Sequence, residues 1–314
     1  MSEIGQDIQK ASALLKQGQL VAIPTETVYG LAANALDTKA VVKIFEAKNR
    51  PFFDPLIIHV ASVEDIELYC KNIPEIAYQL AAKFSPGPLT MLLDKKDVVP
   101  DLVTSGLPQV AVRIPKHELT LKLLKTVGLP LAAPSANPFG YISPTNVTHV
   151  EQQLGKKIQY ILDGGNCEIG VESTIVGFEG DSIIVHRIGG LAIEELETFG
   201  KKVELRINHS SNPQAPGQLK SHYAPRKPLF VGDIDELIKQ HSGKKISVLS
   251  FYNTYSVYTK QLSSKKDLHE AAHNLFSYLR ELDASDTEII LAEKFPNTFL
   301  GRAINDRLER AATK

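Results

Sequence analysis

The chain has 314 residues, 43 % apolar and 23 % charged, with a formal net charge of −1. That length exceeds the usual single core and predicts two domains of an ordinary soluble globular protein. The near-neutral balance argues against a dominantly electrostatic nucleic-acid binder, while leaving room for a local basic groove.

Cys70 and Cys167 lie far apart without metal-ligand spacing, so no disulfide framework is expected and a reducing cytoplasm fits. No apolar stretch follows the first basic residue, and no apolar run could span a bilayer. Neither a signal peptide nor a membrane partner is expected.

In chain order, Ile4, Ile8, Ala11, Leu14 and Leu15 recur at helical spacing, and Gly18 is placed to end that helix. Leu20–Ile23 reads as a buried strand that empties into a loop at Pro24. A helix is expected over Thr38–Ala47, with Val41, Val42, Ile44 and Phe45 as its apolar face, then a strand over Leu56–Val60. Ser62 followed by Asp65 predicts a capped helix start. Further strands are expected at Thr90–Leu93, Val110–Ile114, Pro130–Ala133, Gln159–Leu162, Thr174–Phe178 and Ser182–Ile188. Helices are expected around Pro74–Phe84, Glu118–Thr126 and Asn146–Leu154. The mixture predicts an α/β domain over 1–207 with a twisted, partly antiparallel sheet.

Composition changes after Val203. Residues 208–227 carry Pro, Gly, Asn and Ser without an apolar period and read as a linker. Beyond it, strands at Leu229–Val231, Ile246–Phe251 and Glu288–Ala292 alternate with helices at Ile234–His241, Leu268–Leu282 and Leu300–Ala312. That alternation predicts a small Rossmann-like parallel-sheet domain over 228–314. It has no Gly-rich dinucleotide fingerprint.

Two loops carry the chemistry. Pro24-Thr25-Glu26-Thr27-Val28-Tyr29-Gly30-Leu31 is followed, one segment later, by Lys48-Asn49-Arg50-Pro51; the second loop runs Pro134-Ser135-Ala136-Asn137-Pro138 to Ser143-Pro144-Thr145. Hydroxyls and backbone N–H groups donate to phosphate, and Lys and Arg neutralise it, so the pair suits an anionic, oxygen-rich ligand such as a nucleotide. Read alone, either stretch is also ordinary turn chemistry. His59, His117, His149 and His186 are scattered and give no zinc spacing. Ser135 and Ser173 lack the G-x-S-x-G elbow, and no Walker A sequence is present. Lys48, Arg50, Arg113 and Arg187 each stand at or beside a strand end. At an effective dielectric near 20, one charge pair at about 4 Å is worth on the order of 4 kcal/mol before desolvation, so several cations plus Mg²⁺ are needed to gather a triphosphate with a second anion. An inventory rich in donors and poor in paired carboxylates points to phosphoryl or nucleotidyl transfer.

At these residues the chain resembles the Sua5/YrdC family, the L-threonylcarbamoyladenylate synthases. Matching segments include the two loops, Pro55-Leu56-Ile57-Ile58-His59-Val60, Pro86-Gly87-Pro88-Leu89-Thr90, Val110-Ala111-Val112-Arg113-Ile114-Pro115, Asp163-Gly164-Gly165 and Glu172-Ser173-Thr174-Ile175. Ala215-Pro216-Gly217, His222-Tyr223-Ala224-Pro225 and Gly301-Arg302-Ala303-Ile304-Asn305-Asp306-Arg307-Leu308 look like the two-domain Sua5 type.

The resemblance implies that L-threonine, bicarbonate and ATP, with Mg²⁺, give threonylcarbamoyl-AMP and pyrophosphate. That product would pass to the downstream machinery that makes N6-threonylcarbamoyladenosine in tRNA. It further implies a threonine side of Thr27, His59, Arg113, Ala133 and Ser173. The implied ATP side is Lys48, Arg50, Asp54, Gln109, Ser135, Asn137, Ser143, Arg187 and Tyr223, with Lys48 and Arg50 as the catalytic cations and no metal ligand supplied by the protein. Asp54 stands where Asn is usual, and Gln109 where a small hydroxyl residue is common. The linker carrying Tyr223 is expected to act as a lid. Competing readings are a non-catalytic tRNA- or rRNA-binding module of the same fold and a carbamoyl-phosphate-dependent carbamoyltransferase. A weak direct contact with tRNA is compatible with the first.

Overall fold

The computed structural model describes residues 1–207, 215–216 and 222–313. Residues 208–214 and 217–221 of the expected linker lie outside the described residues. Among the described residues, fifteen strands form two sheets.

The larger sheet holds β1 (Glu3–Gly5), β2 (Val21–Ile23), β3 (Gly30–Asn34), β4 (Ile57–His59), β5 (Leu89–Asp94), β6 (Gln109–Arg113), β7 (Leu131–Ala132), β8 (Tyr160–Leu162), β9 (Thr174–Glu179), β10 (Ser182–Arg187) and β11 (Val203–Leu205). Its order is β1-β8-β2-β3-β7-β4-β6-β5-β9-β10-β11. β4 and β6 run parallel, as do β5 and β9, whereas β5–β6 and β9–β10 are antiparallel. The smaller sheet is parallel throughout: β12 (Leu229–Val231), β13 (Ile246–Ser250), β14 (Tyr258–Gln261) and β15 (Ile289–Ala292), in the order β12-β15-β13-β14. The expected α/β architecture with a mixed sheet and a small parallel one is therefore what the chain forms.

Local chemistry explains the element ends. Asp7 caps the helix Ile8–Lys16 by accepting from the Lys10 N–H at 3.0 Å, and Gly18 turns the chain beyond it at φ 67°. Ile4 does not join that helix; it lies on β1, paired with Ile161. Ser62 accepts from the Asp65 N–H, while the Asp65 carboxylate reaches back to the Ala61 N–H, which closes the start of helix Val63–Tyr69. β3, β11 and β14 were not expected. β3 reads Gly-Leu-Ala-Ala-Asn, small residues of low strand preference that are buried on both faces.

Register builds the site. His59 lies opposite Arg113, Arg113 opposite Thr90, Thr90 opposite Ile175, and Ile175 opposite Arg187. Side chains in one cross-strand row share a face, and neighbouring strands are about 4.8 Å apart, so the row spans about 19 Å. Next to it on that face lie Ile57, Leu92 and Ala111, which cluster with the row's own Ile175 and with Ala215 from the linker. Behind the opposite face, one core cluster runs from Ile58, Met91, Val112 and Val176 into Tyr223, Leu275 and Phe276 of the C-terminal part.

Gly189 follows this row where β10 leaves the sheet. A Cβ there would stand 2.2 Å from the Glu172 carbonyl oxygen and 2.5 Å from the Ser173 carbonyl carbon, so the backbones meet without room for one. Gly189→Ala is expected to lower stability by about 1–3 kcal/mol, the usual cost of overpacking. A urea midpoint equal to wild type would show that the two segments can part freely.

Candidate active site

The Pro24 loop is fastened by its own hydroxyls. The Thr25 Oγ1 donates to the Val28 carbonyl at 2.7 Å and accepts from the Thr27 and Val28 N–H groups, and the Thr27 Oγ1 lies 2.9 Å away. The Ser135 loop is stitched to it: the Leu31 N–H donates to the Pro134 carbonyl, and the Ala136 N–H to the Tyr29 carbonyl. Between these loops and the strand row is a cavity of about 50 Å³.

Nine of the expected site residues line that cavity: Thr27, Arg50, His59, Arg113, Ala133, Ser135, Ser173, Arg187 and Tyr223. The structure brings the threonine set and the cationic nucleotide set together in one place. Five others do not reach the wall. Asp54 is fully buried behind Arg50, its Oδ2 2.9 Å from the Arg50 Nη2. Asn137 donates to the Pro138 and Tyr141 carbonyls and shapes the loop. Ser143 donates to the Glu172 Oε1 at 2.6 Å. Gln109 sits at the far end of β6, about 13 Å along the strand from Arg113, and its amide faces Asp94 at 3.4 Å. Lys48 is the largest departure. It ends helix Thr38–Lys48 with 1 % of its surface exposed, and its Nζ donates to the carbonyls of Ser135 and Asn137. In this arrangement the ammonium clasps the loop through those two carbonyls.

Each cation on the wall is held. Arg50 donates to the Asp54 and Pro55 carbonyls at 3.1 and 2.7 Å. Arg187 donates through Nε and Nη2 to the Ser173 carbonyl, through Nη2 to the Ser173 Oγ, and through Nη1 to the Pro216 carbonyl at 3.2 Å. Arg113 donates to the Gly87 carbonyl at 3.3 Å, and its Nη2 stands 2.7 Å from the Glu26 Oε1. The Arg113–Glu26 contact is a close, buried ion pair whose angle falls short of a well-directed hydrogen bond. Ser173 is fixed by Thr90, their hydroxyls 2.7 Å apart.

Burial governs the titration of these groups. It pushes Lys48 well below an ordinary lysine, with Arg50 adding to the fall, and lowers Arg187 to about 10. Burial raises Asp54, against the pull of Arg50 and Lys48. His59 drops to about 3 through burial and then the nearby Arg113, so it is a neutral imidazole at physiological pH.

Four residues that sequence reasoning gave no role belong to this site. Glu26 steers Arg113, Thr90 positions Ser173, and Glu172 and His222 line the cavity. All four lay inside the quoted segments without a role; that of Thr90 follows from the register of β5 against β6, which sets it opposite Arg113. Pro216, His222 and Tyr223 close the cavity from the linker, and about 50 Å³ is far below the roughly 300–1,000 Å³ of small-molecule sites. Among the described residues, no group of three or more His, Cys, Asp or Glu could hold a metal ion, and no helix is long and apolar enough to cross a membrane.

Lys48→Met is expected to leave the Ser135 and Asn137 carbonyls without their buried donor and to destabilise the fold by about 1–3 kcal/mol. An unchanged denaturation midpoint would remove the clasp. The histidines set an acid limit. His59 and His222 have native values below the unfolded value of 6.5, so below that pH the unfolded chain binds more protons. Stability is complete above 6.5 and falls as pH drops from 6.5 toward 3, by up to about 1.4 kcal/mol per pH unit for each such imidazole. Thermal melts at pH 7.5, 6 and 5 should show a falling midpoint; a flat profile contradicts neutral burial.

Two family models account for nearly the whole chain. The Sua5, YciO and YrdC model, described as telomere recombination, matches residues 13–189, and the C-terminal domain of threonylcarbamoyl-AMP synthase matches 191–313. Threonylcarbamoyl-AMP synthase of Pyrococcus abyssi is 42 % identical over 97 % of this chain and 94 % of its own length; that of Bacillus subtilis is 40 % identical over 97 % and 92 %. The crystal structure of P. abyssi Sua5 complexed with L-threonine superposes with a TM-score of 0.94 at 41 % identity, covering 99 % of this chain and 97 % of that one. Escherichia coli YciO, at 20 % identity and a TM-score of 0.54, shares the fold of the first part alone. The chain belongs to the Sua5 family of two-domain threonylcarbamoyl-AMP synthases.

Proposed function

We propose that this chain condenses L-threonine, bicarbonate and ATP into threonylcarbamoyl-AMP and pyrophosphate, for the threonylcarbamoylation of adenosine in tRNA. The observation that carries the reading is the single cavity in which Arg113, His59 and Ser173 stand beside Arg50, Arg187 and Ser135. Amino-acid chemistry and phosphate chemistry share one wall there.

Arg113, aimed by Glu26, takes the threonine carboxylate with its planar guanidinium. Thr27, neutral His59 and Ser173 surround the remainder of the amino acid. The amine adds to CO₂ derived from bicarbonate and loses a proton, giving a carbamate. A carbamate oxygen then attacks the α-phosphorus of ATP; that O–P bond forms as the bond to the β-phosphate oxygen breaks, and pyrophosphate leaves. Arg50 and Arg187 stabilise the charge that gathers on the departing phosphates. Mg²⁺ would enter with ATP, as part of the MgATP substrate.

The mixed anhydride hydrolyses readily, so water must be kept out. Pro216, His222 and Tyr223 already cover the mouth, and they must withdraw to admit a nucleotide and return to seal it. We assign Asp54 to Arg50 instead of to the nucleotide, and Lys48 to holding the Ser135 loop. Neither competing reading gains a specific observation.

Mass measurement of the adenylate formed from ATP, bicarbonate and each amino acid in turn should give threonylcarbamoyl-AMP as the dominant product. Carbamoyl phosphate should not replace bicarbonate and threonine. Arg113→Lys, which loses the planar fork, is expected to raise KM for threonine about tenfold or more. Equal products from all amino acids would refute the assignment.

A further inference from the structure

We propose that the C-terminal domain positions the nucleotide half of the active site, through the buried Arg307 and its helper Arg280. The inference rests on the division of the cavity proposed above and assigns a task to a domain to which that reading gives none.

Arg307 is on the last helix, Leu300–Ala312, and none of its surface is exposed. Its Nε donates to the Glu172 Oε2 at 2.8 Å, its Nη2 to the Ile188 carbonyl at 2.9 Å, and its Nη1 pairs with Asp306. The guanidinium lies 4.9 Å from the centre of the Tyr223 ring. One side chain thus touches three separate pieces of the wall. Glu172 holds Ser143, Ile188 follows Arg187, and Tyr223 is the linker residue over the mouth. Arg280, on helix Leu268–Ala284, adds a second grip by donating to the carbonyls of Ile142 and Ser143.

The threonine half depends on it less directly. Arg113 is held by Glu26 and the Gly87 carbonyl, and Ser173 by Thr90 and by Arg187, all from the first domain. The C-terminal domain therefore adds its grip beside one half of the cavity, at Glu172, Ile188 and the carbonyls of Ile142 and Ser143. A planar guanidinium is needed at position 307 because its donors leave in different directions toward a carboxylate and a carbonyl. A lysine ammonium would keep the charge beside Glu172 and lose the fork to Ile188.

A residue that merely joins the domains would lower stability and leave substrate affinity alone. Arg302 supplies that comparison: it pairs with Glu194 at 3.3 Å on the same helix, partly exposed and away from the cavity. Pyrophosphate release by the full chain is to be measured for wild type, Arg307→Lys, Arg307→Met and Arg302→Met, varying ATP and threonine separately.

Both Arg307 variants are expected to raise KM for ATP about tenfold or more, the loss of one charged hydrogen bond. KM for threonine should stay within about twofold, and Arg302→Met should leave both unchanged. Thermal melts establish that each variant is folded; if Arg307→Met is not, Arg307→Lys decides. An unchanged KM for ATP in Arg307→Lys, or equal rises for both substrates, overturns the inference. A wild-type chain that releases no pyrophosphate overturns the proposed function itself and this inference with it, an outcome separable from the first because it appears before any substitution.

Discussion

Four cations withdrawn from water at one end of a twisted sheet set the terms for everything around them. A buried, unpaired charge costs several kcal/mol, so each must find partners inside the protein. Arg50 has Asp54, Arg113 has Glu26, Lys48 has two loop carbonyls, and Arg187 has the carbonyls of Ser173 and Pro216. Those needs explain why Pro-rich loops, otherwise free to vary, are pinned at Ser135 and Asn137. The compensation is partial: both Asp54 oxygens, the Glu26 Oε1 and the Arg113 Nη2 complete no hydrogen bond among the described residues. Such incomplete pairing leaves the wall ready to exchange internal acceptors for those of a substrate.

Much of this could be read from the chain. The helix start at Ser62, the helix-ending turn at Gly18, the strand end at Ile23 and the small parallel sheet all followed from spacing and cap chemistry. What could not be read has a physical reason in each case. β3 is built from Gly and Ala because a neighbouring loop approaches it closely, which erases the alternation that marks a strand. Lys48 and Arg307 owe their burial to segments far away in the chain, which spacing along one helix does not reveal. Gln109 follows the motif's order along the chain, but the length of β6 carries it away from the cavity.

Tertiary packing also joins what sequence separates. The core that begins behind β4, β5 and β6 continues through Tyr223 onto Phe276, whose rings stack 5.6 Å apart. The His222 N–H donates to the Arg310 carbonyl, while the Ala224 N–H donates to the Gly140 carbonyl, so the end of the linker is moored to both domains at once. Motion of that segment must break contacts on two sides. This arrangement makes opening a discrete step with its own free energy rather than a loose fluctuation.

The small volume left under Pro216, His222 and Tyr223 bears on how inhibitors of such an enzyme should be sought. A compound that fits only the parted arrangement binds with its intrinsic affinity scaled by the fraction of molecules in that arrangement. If about 99 % are shut, the penalty is about a hundredfold. Docking into the shut form, or soaking crystals that trap it, would discard good chemical matter for want of an entrance. Fragments that wedge beside the Tyr223 ring and hold it aside are the more promising starting points.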